Sequence, residues 1–274
     1  LLGIFSLSFI PPLVLTFVYR ESGMEIFLYS FIFFSILGSS LWAATRQQNL
    51  PLNISDGFII TTLFWVVLAC AGSVPFYFFG LSISDSVFES VSGITTTGAT
   101  TIIGLDNLPK SILFYRQLLQ WIGGMGLIIL AVAVMPALGI GGGQLYKMEL
   151  PGSHGNQKLT PKITDSAKAL WKIYVGLTLI CAILYLSSGM DLFDSIAHSL
   201  STVAGGGFST HDQSIGFFNS SLIETVCIVF MLLSAASFAV HYVAIFGGKP
   251  LKYFYDSEFR FFLSVIMLII LIFE

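Results

Sequence analysis

Residues 94–101 read ITTTGATT, a run of small and hydroxyl-bearing residues between two long apolar segments. The segment before it, residues 85–90 (DSVFES), has the composition of a helix start, and we interpret Ser86 and Glu89 as a capping box. A helix over residues 86–95 would rise about 15 Å, about half the thickness of the hydrocarbon core of a bilayer. The sequence therefore predicts a half-helix that enters the membrane and ends in an extended loop.

An extended loop at that depth must be enclosed by protein or line a wet cavity, since lipid cannot satisfy its backbone N–H and C=O groups. The carbonyl end of the preceding helix carries partial negative charge and attracts cations. Gly98 permits backbone torsions that other residues avoid, so that successive carbonyl oxygens can face one axis. We therefore interpret the loop as part of an oxygen cage that replaces the hydration shell of a monovalent cation.

The same pattern occurs a second time, because residues 85–101 (DSVFESVSGITTTGATT) align without a gap on residues 194–210 (DSIAHSLSTVAGGGFST). From Gly98 to Gly207 the offset is 109 residues, and the same offset pairs further identical residues upstream and downstream. A shared offset over this length indicates an internal repeat rather than a chance match of small residues. A second half-helix is therefore predicted over residues 195–204.

The composition of the chain indicates its broad class. Of its 274 residues, 55% are hydrophobic and 10% are charged, and the mean hydropathy is +0.87, which is typical of a polytopic membrane protein. The net charge of −3, without a basic stripe, argues against a nucleic-acid partner. The three cysteines are scattered through apolar segments without a CxxC pair, so they indicate neither a metal site nor a disulfide.

The apolar segments predict an all-α architecture in which two spanning helices surround one half-helix, used twice in succession. The predicted spans and half-helices are, in order, 1–19 (kinked at Pro11 and Pro12), 25–45, 57–79, 86–95, 111–134, 167–188, 195–204, 219–246 and an apolar run from residue 259. The longest polar connection is predicted over residues 140–165.

Lysine and arginine are distributed unevenly between the two sets of loops, which predicts the orientation of the chain in the membrane. The side that bears the half-helices holds only Arg20, Lys110 and Arg116 and is predicted to be the outside. Arg116 is expected to reach the membrane interface or to tie down the loop. The predicted cytoplasmic side holds Arg46, Lys147, Lys158, Lys162, Lys168, Lys172, Lys249, Lys252 and Arg260.

Four motifs carry a family resemblance: residues 93–100 (GITTTGAT), 121–127 (WIGGMGL), 141–152 (GGGQLYKMELPG) and 203–211 (VAGGGFSTH). In order and spacing they resemble the membrane subunits of bacterial Trk potassium uptake systems, the TrkH/TrkG type of the Trk/Ktr/HKT superfamily. The resemblance covers essentially the whole chain. It implies four repeats around one pore, preceded by two extra transmembrane helices. Each repeat (M1–P–M2) consists of a helix, a half-helix with its loop, and a second helix.

On this resemblance, the chain holds the N-terminal half of such a protein. The implied segments are two extra helices (1–50), a first repeat (51–138), a cytoplasmic connection (139–165), a second repeat (166–248) and the start of a third (249–274). Two of the four filter loops would then lie beyond this sequence. We therefore expect residues 1–274 alone to conduct no ions.

The resemblance also implies that each loop supplies one layer of a selectivity filter, with Gly98 and Gly207 at the key positions. In related plant transporters a serine at the first-loop position goes with sodium preference, so Gly98 implies potassium. The implied filter residues are Thr96, Thr97, Gly98, Ala99, Gly205, Gly206, Gly207 and Phe208. Potassium is expected at the backbone carbonyl oxygens of Thr96, Thr97, Gly98, Gly205, Gly206 and Gly207.

The implied protein takes up potassium across the bacterial inner (plasma) membrane, as a homodimer gated by a cytosolic nucleotide-binding ring of the TrkA type. The basic segment 140–172 and the turn 247–249 are the expected contact surfaces for that ring. Nucleotide would bind the ring, since this chain lacks a Rossmann fingerprint, and no cofactor is expected here besides the transported K⁺. Sodium- or proton-coupled potassium symport and a sodium-permeable relative are the alternatives.

An intramembrane hydrolase built on Asp194, Ser195 and His198 is a rival from another class of function. Such an enzyme needs a nucleophile held by a base, and no nucleophile-elbow motif such as GxSxG is present. We therefore expect no enzyme, and we expect His198 to be a hydrogen-bonded structural residue. Gln117 and Gln120 are expected to brace the filter loop or a neighbouring helix.

Overall fold

The computed structural model describes residues 1–46, 54–129, 159–249 and 251–273, and within these ranges the regular secondary structure is helical. The α-helices are α1 (Leu2–Phe5), α2 (Ile10–Tyr19), α3 (Met24–Thr45), α4 (Ile54–Phe79), α5 (Ile83–Ile94), α6 (Lys110–Ile129), α7 (Leu159–Ser187), α8 (Leu192–Ala204), α9 (Ser221–Ala235), α10 (Phe238–Phe246), α11 (Lys252–Tyr255) and α12 (Ser257–Phe273). Short 3-10 turns lie at Ser6–Phe9, Leu105–Asn107 and Ser214–Phe218.

Several helices have the length and composition of membrane spans. Four segments in the described part of the chain are long and apolar enough to cross a bilayer, Leu2–Tyr19, Met24–Thr45, Thr61–Phe79 and Lys168–Ser187. Their outward faces expose large apolar side chains such as Phe17, which fits lipid contact better than water. The chain is therefore an all-α polytopic membrane protein.

The first two spans form an N-terminal hairpin. The first span tightens to a 3-10 turn at Ser6–Phe9, and Pro11 and Pro12 lie at the start of α2, where a missing N–H costs nothing. Gly38 of α3 packs on the backbone of Gly3, and a Cβ at Gly38 would clash there. The predicted kink is thus a local change of helix type that lets the two helices pack closely.

The turn of this hairpin contacts the N-terminal end of α6. The Glu21 carboxylate accepts hydrogen bonds from the backbone N–H of Lys110 (2.7 Å) and of Ser111 (3.1 Å). These N–H groups belong to the first turn of α6, where backbone donors have no partner within the helix and carry partial positive charge. Glu21 therefore caps α6 from a different part of the chain.

The two half-helices α5 and α8 have matching N-caps. Ser82 Oγ accepts the N–H of Asp85 (3.1 Å), and an Asp191 carboxylate oxygen accepts the N–H of Asp194 (2.7 Å). Ser82 and Asp191 are again 109 residues apart, so the repeat extends upstream to the caps. The capping box predicted at Ser86 is wrong, because the same residue spacing occurs one turn earlier and the helix begins there.

The predicted span 219–246 is not one continuous helix, because the chain breaks between α9 and α10 and bends there by 104°. Ala236 is extended at the break, and its N–H donates to the carbonyl group of Leu233 at 3.1 Å. His241 Nε2 lies 2.8 Å from that oxygen, and its Nδ1 lies 2.6 Å from the Tyr253 hydroxyl. The buried imidazole thus adds a second contact to a carbonyl group at the end of α9. No glycine or proline lies in this apolar run, so the sequence gives no local signal for the break.

Several predicted features fall on residues outside the described ranges. The motif 141–152 lies wholly outside them, as does most of the connection predicted over residues 139–165. Where the description resumes, α7 is already helical at Leu159, earlier than the predicted start of that span at residue 167. The division of the chain into five segments stays a prediction.

Candidate functional site

The loops that follow α5 and α8 have the same backbone conformation. Gly98 and Gly207 have φ values of +77° and +106°, in the left-handed region that favours glycine. Two residues earlier, Thr96 (+56°) and Gly205 (+67°) also have positive φ. Each pair is separated by 109 residues, so the repeat found in the sequence is a repeat of backbone torsions.

The same hydrogen bond closes the carbonyl end of both half-helices. The N–H of Thr97 donates to the Ser92 carbonyl and the N–H of Gly206 to the Ser201 carbonyl, both at 2.9 Å. These bonds turn each chain sharply out of its helix, as backbone bonds back to the last turn do at helix C-termini. The two loops therefore begin with the same change of direction.

The two loops meet at their predicted filter glycines. A Cβ on Gly98 would clash with the carbonyl oxygen of Gly206, whereas a Cβ on Gly207 would meet no atom within 4 Å. The structure thus brings the two groups of predicted filter residues into direct contact. Phe208 differs from the others, because its side chain is buried while Thr97, Gly205 and Gly207 are exposed.

A buried side chain of each half-helix holds the segment just beyond the glycine. In the first repeat, Glu89 accepts the Thr101 N–H at 2.8 Å and also the Thr100 hydroxyl. In the second repeat, His198 Nε2 lies 2.9 Å from Ser209 Oγ. Glu89 and His198 are equivalent positions, as are Thr100 and Ser209. The interpretation of Glu89 as a capping residue is wrong, since it lies fully buried behind its loop.

Arg116 of α6 joins the two supports. Its side chain is 0% exposed, and its Nε donates to Glu89 at 3.1 Å. Its Nη1 donates to the Ser209 carbonyl and its Nη2 to the Thr100 hydroxyl, both at 3.0 Å. The guanidinium carbon lies 4.2 Å from the centroid of the Phe208 ring. Arg116 therefore does not reach the membrane interface, and the alternative expectation, that it ties down the loop, is confirmed for both loops.

One turn further along α6, a glutamine and a glycine contact the same region. Gln120 accepts the Phe208 N–H at 3.1 Å, which confirms the predicted bracing role. A Cβ on Gly123 would clash with the Ile94 carbonyl, so α6 approaches the end of α5 very closely. Gln117 is fully buried too, but its amide has no hydrogen-bond partner among the described residues.

Outside the loops, His211 connects the two repeats. Its Nδ1 lies 2.5 Å from an Asp106 carboxylate oxygen and its Nε2 lies 3.1 Å from an Asp194 carboxylate oxygen. The imidazole stacks on Phe217 with ring centroids 3.5 Å apart. The hydrogen bond from His211 lowers the pKa of Asp106 below its ordinary value of 3.8. Asp212 adds a second tie, since it accepts backbone N–H bonds from the first loop region.

Comparison with known proteins gives the family. A family model for TrkH, described as a cation transport protein, matches residues 23–274, which is most of the chain. The chain belongs to the TrkH family. The family resemblance drawn from the four motifs is thereby confirmed.

Relatives in the TrkH family support the assignment. The Trk system potassium uptake protein TrkH is 47% identical over 99% of this chain in Vibrio parahaemolyticus, and 48% identical over 96% of it in Escherichia coli K12. The Trk system potassium uptake protein TrkG of Escherichia coli K12 is 42% identical over 99% of the chain. The chain covers 57%, 55% and 57% of these relatives, so it spans a little over half of their length.

The crystal structure of the potassium transporter TrkH from Vibrio parahaemolyticus matches this structure with a TM-score of 0.88 and 44% sequence identity. The match covers 99% of this chain and 56% of that chain. It confirms the predicted fold class, a polytopic helical protein with tandem M1–P–M2 repeats preceded by two extra helices.

The rival arrangement of a hydrolase is not formed in this TrkH-family chain. The Ser195 hydroxyl donates to the Asp191 carbonyl at 2.6 Å, so it is not held by a base. His198 is buried, and its Nδ1 lies 3.0 Å from the backbone carbonyl of Asp194. The expectation that His198 is a hydrogen-bonded structural residue is confirmed.

Proposed function

We propose that the protein takes up potassium across the bacterial inner membrane, and that the two glycine loops line part of the ion path. One observation carries the proposal: the loops at Gly98 and Gly207, distant in sequence, have matching torsions and lie against one another. The names of the relatives, Trk system potassium uptake proteins, support potassium as the ion.

The proposed ligands of the ion are the backbone carbonyl oxygens of Thr96, Thr97, Gly98, Gly205, Gly206 and Gly207. Carbonyl oxygens replace the water molecules that a potassium ion loses on entry. The carbonyl ends of α5 and α8 lead into the loops and add partial negative charge near that path. Ala99 is the remaining proposed filter residue of the first loop, and its carbonyl accepts the Ser92 hydroxyl at 2.6 Å, which holds the loop on α5.

The proposed assembly is a homodimer in the membrane with a nucleotide-binding ring of the TrkA type on its cytosolic side. The names of the relatives support a system of several components, since they are called proteins of the Trk system. The proposed contact surfaces of the ring are the segment 140–172 and the turn 247–249. Purifying the tagged protein from its own bacterium and identifying its cross-linked partners by mass spectrometry tests this part.

Rubidium uptake in a bacterium that lacks its own potassium uptake systems tests the function. The protein as encoded by its natural gene should restore growth at low potassium and take up rubidium well above sodium. Residues 1–274 alone should restore neither. Ser195→Ala serves as the matched control, because it alters only the hydroxyl that bonds to Asp191 and should leave uptake intact. Absence of selective uptake by the complete gene product would refute the proposal.

The dependence of this uptake on the sodium gradient and on the proton gradient separates the alternatives. Uptake that follows the potassium gradient and membrane potential alone indicates channel-like permeation. Uptake that stops when either the sodium or the proton gradient is collapsed at constant potential indicates symport.

A further inference from the structure

Arg116 bonds to the two loops at equivalent points. Its guanidinium donates to Thr100, two residues after Gly98, and to the carbonyl of Ser209, two residues after Gly207, both at 3.0 Å. Thr100 and Ser209 are themselves related by the offset of 109 residues. One side chain therefore bridges equivalent positions of the two repeats.

The guanidinium suits this task because its N–H groups point in several fixed directions within one plane. Three of its nitrogens are used, one each toward Glu89, Thr100 and Ser209. The Phe208 ring covers the group at 4.2 Å. A flexible ammonium group offers no such fixed fork, so a lysine at this position could pair with Glu89 but could not hold both loops.

The second repeat has no cation of its own at this place. Thr225 of α9 stands 109 residues after Arg116, and its hydroxyl donates to the Ser221 carbonyl on its own helix at 2.6 Å. The residue is exposed. Arg116 thus serves both repeats, rather than being one of two copies of a local brace.

From this geometry we infer that Arg116 is a positioning residue, which holds the two glycine loops in register and thereby sets the preference for potassium over sodium. The inference rests on the proposed potassium function. A filter discriminates between ions by the placement and number of its oxygens, and it keeps that placement only if the supporting residues are themselves fixed. Gln120, which accepts the Phe208 N–H, supports the second loop from the same face of α6.

Arg116→Lys is the first test, with the ratio of rubidium to sodium uptake as the readout. The charge opposite Glu89 is kept, so the protein should still reach the membrane. We expect the ratio to fall roughly tenfold, which corresponds to a change of about 1.4 kcal/mol in the free-energy difference between the two ions. The ratio does not depend on how many molecules are folded, so a merely structural role would leave it unchanged.

A double variant, Glu89→Gln with Arg116→Gln, guards against misfolding. It removes both buried charges together, so that neither remains unpaired. Its ratio should fall as in Arg116→Lys. Lys110→Gln is the matched control, because it removes a positive charge from the outer end of the same helix, where the ammonium group lies over Tyr19 and Phe193. The control should keep the wild-type ratio.

Wild-type ratios in both Arg116 variants would overturn the inference, as would failure of both variants to reach the membrane, which would assign Arg116 to folding alone. An equal loss of selectivity in Lys110→Gln would overturn it too, since the cause would then be the charge of the outer face. A wild-type protein without potassium preference would instead refute the proposed function, so the two failures are distinguishable.

Discussion

The first and second glycine loops have similar backbone torsions but are supported by different buried side chains. Both turn out of a half-helix through an equivalent hydrogen bond and place a glycine with positive φ at the equivalent position. At the equivalent half-helix position, the first loop is held by Glu89, which pairs with Arg116, and the second by His198, while Arg116 bonds to both loops. Positive φ at equivalent positions is therefore the common element of the two loops, and either a carboxylate or an imidazole can stand behind it.

The two loops also differ in how tightly they are enclosed. A side chain at Gly98 would clash with the other loop, whereas one at Gly207 would meet open space. Thr96 adopts a left-handed torsion that a β-branched residue rarely adopts, and Gly205 adopts the same torsion without strain. The first loop is thus the more constrained of the two.

The largest difference in stability is expected between variants of the two supporting residues, Glu89 and His198. Glu89→Gln leaves the Arg116 cation buried without a counter-charge, and this should destabilise the protein by about 3–5 kcal/mol. His198→Gln removes the imidazole contacts with Ser209 Oγ and the Asp194 carbonyl but leaves the Glu89–Arg116 pair intact, and should cost about 1–3 kcal/mol. Thermal unfolding of the purified proteins in detergent measures both. Equal losses would mean that the charge of the pair has no special importance.

A smaller difference is expected between Gly98→Ser and Gly207→Ser. Both place a side chain in the left-handed region, at about 1–2 kcal/mol each. Only the serine at position 98 also collides with the Gly206 carbonyl, a proposed ligand. Gly98→Ser should therefore lower the ratio of rubidium to sodium uptake much further than Gly207→Ser does. A larger effect at position 207 would contradict the contact between the loops.

The strained threonine gives a prediction of opposite sign. Thr96→Gly makes the first loop resemble the second and should stabilise the protein by about 1 kcal/mol, the order of the cost of this torsion for a side chain. Gly205→Ala should destabilise the protein by a similar amount through the left-handed torsion alone. A Cβ there would not clash, because its nearest neighbour is Ser234 Oγ at 3.9 Å. Unfolding curves of the two variants test whether their changes in stability have opposite signs. Changes of the same sign would count against a shared torsion at these positions.

The smallest effect concerns the exposed tie between Asp106 and His211. The folded-state pKa of Asp106 is lowered, so its contribution to stability is complete above pH 3.8 and is lost as the pH falls through the lowered pKa. Asp106→Asn should therefore show a shallower loss of stability on acidification than the wild type. Unfolding curves across this acidic range measure the difference. An unchanged dependence of stability on pH would show that the contact between Asp106 and His211, unlike the buried Glu89–Arg116 pair, contributes nothing to stability.

The repeat, the half-helices and the family could be predicted from the sequence because they depend on local patterns. Apolar length gave the spans 25–45 and 57–79 to within a few residues, and the offset of 109 residues aligned the two loops. The bend after Ala235 could not be predicted, because the apolar run contains no helix-breaking residue. The contacts of His241 across the bend, with Leu233 and Tyr253, form only in the folded chain and leave no pattern in the sequence.

The supporting network was harder to foresee for a similar reason. Glu89 and Arg116 look like ordinary charged residues near the membrane surface, since hydropathy does not record which charges face each other. Their pairing arises only when α6 packs against both half-helices. The equivalence of Glu89 with His198 within the repeat was the available signal. A charged residue in a position where the repeat otherwise places a buried histidine indicates a partner nearby.

The cap that Glu21 places on α6 extends this dependence to the outer edge of the molecule. Since α6 carries Arg116, the turn of the N-terminal hairpin fixes the height at which that helix begins. A lesion in the turn would let the helix slide along its axis and carry the guanidinium with it. If Arg116 sets the ion preference as proposed, that preference also depends on the turn of the N-terminal hairpin.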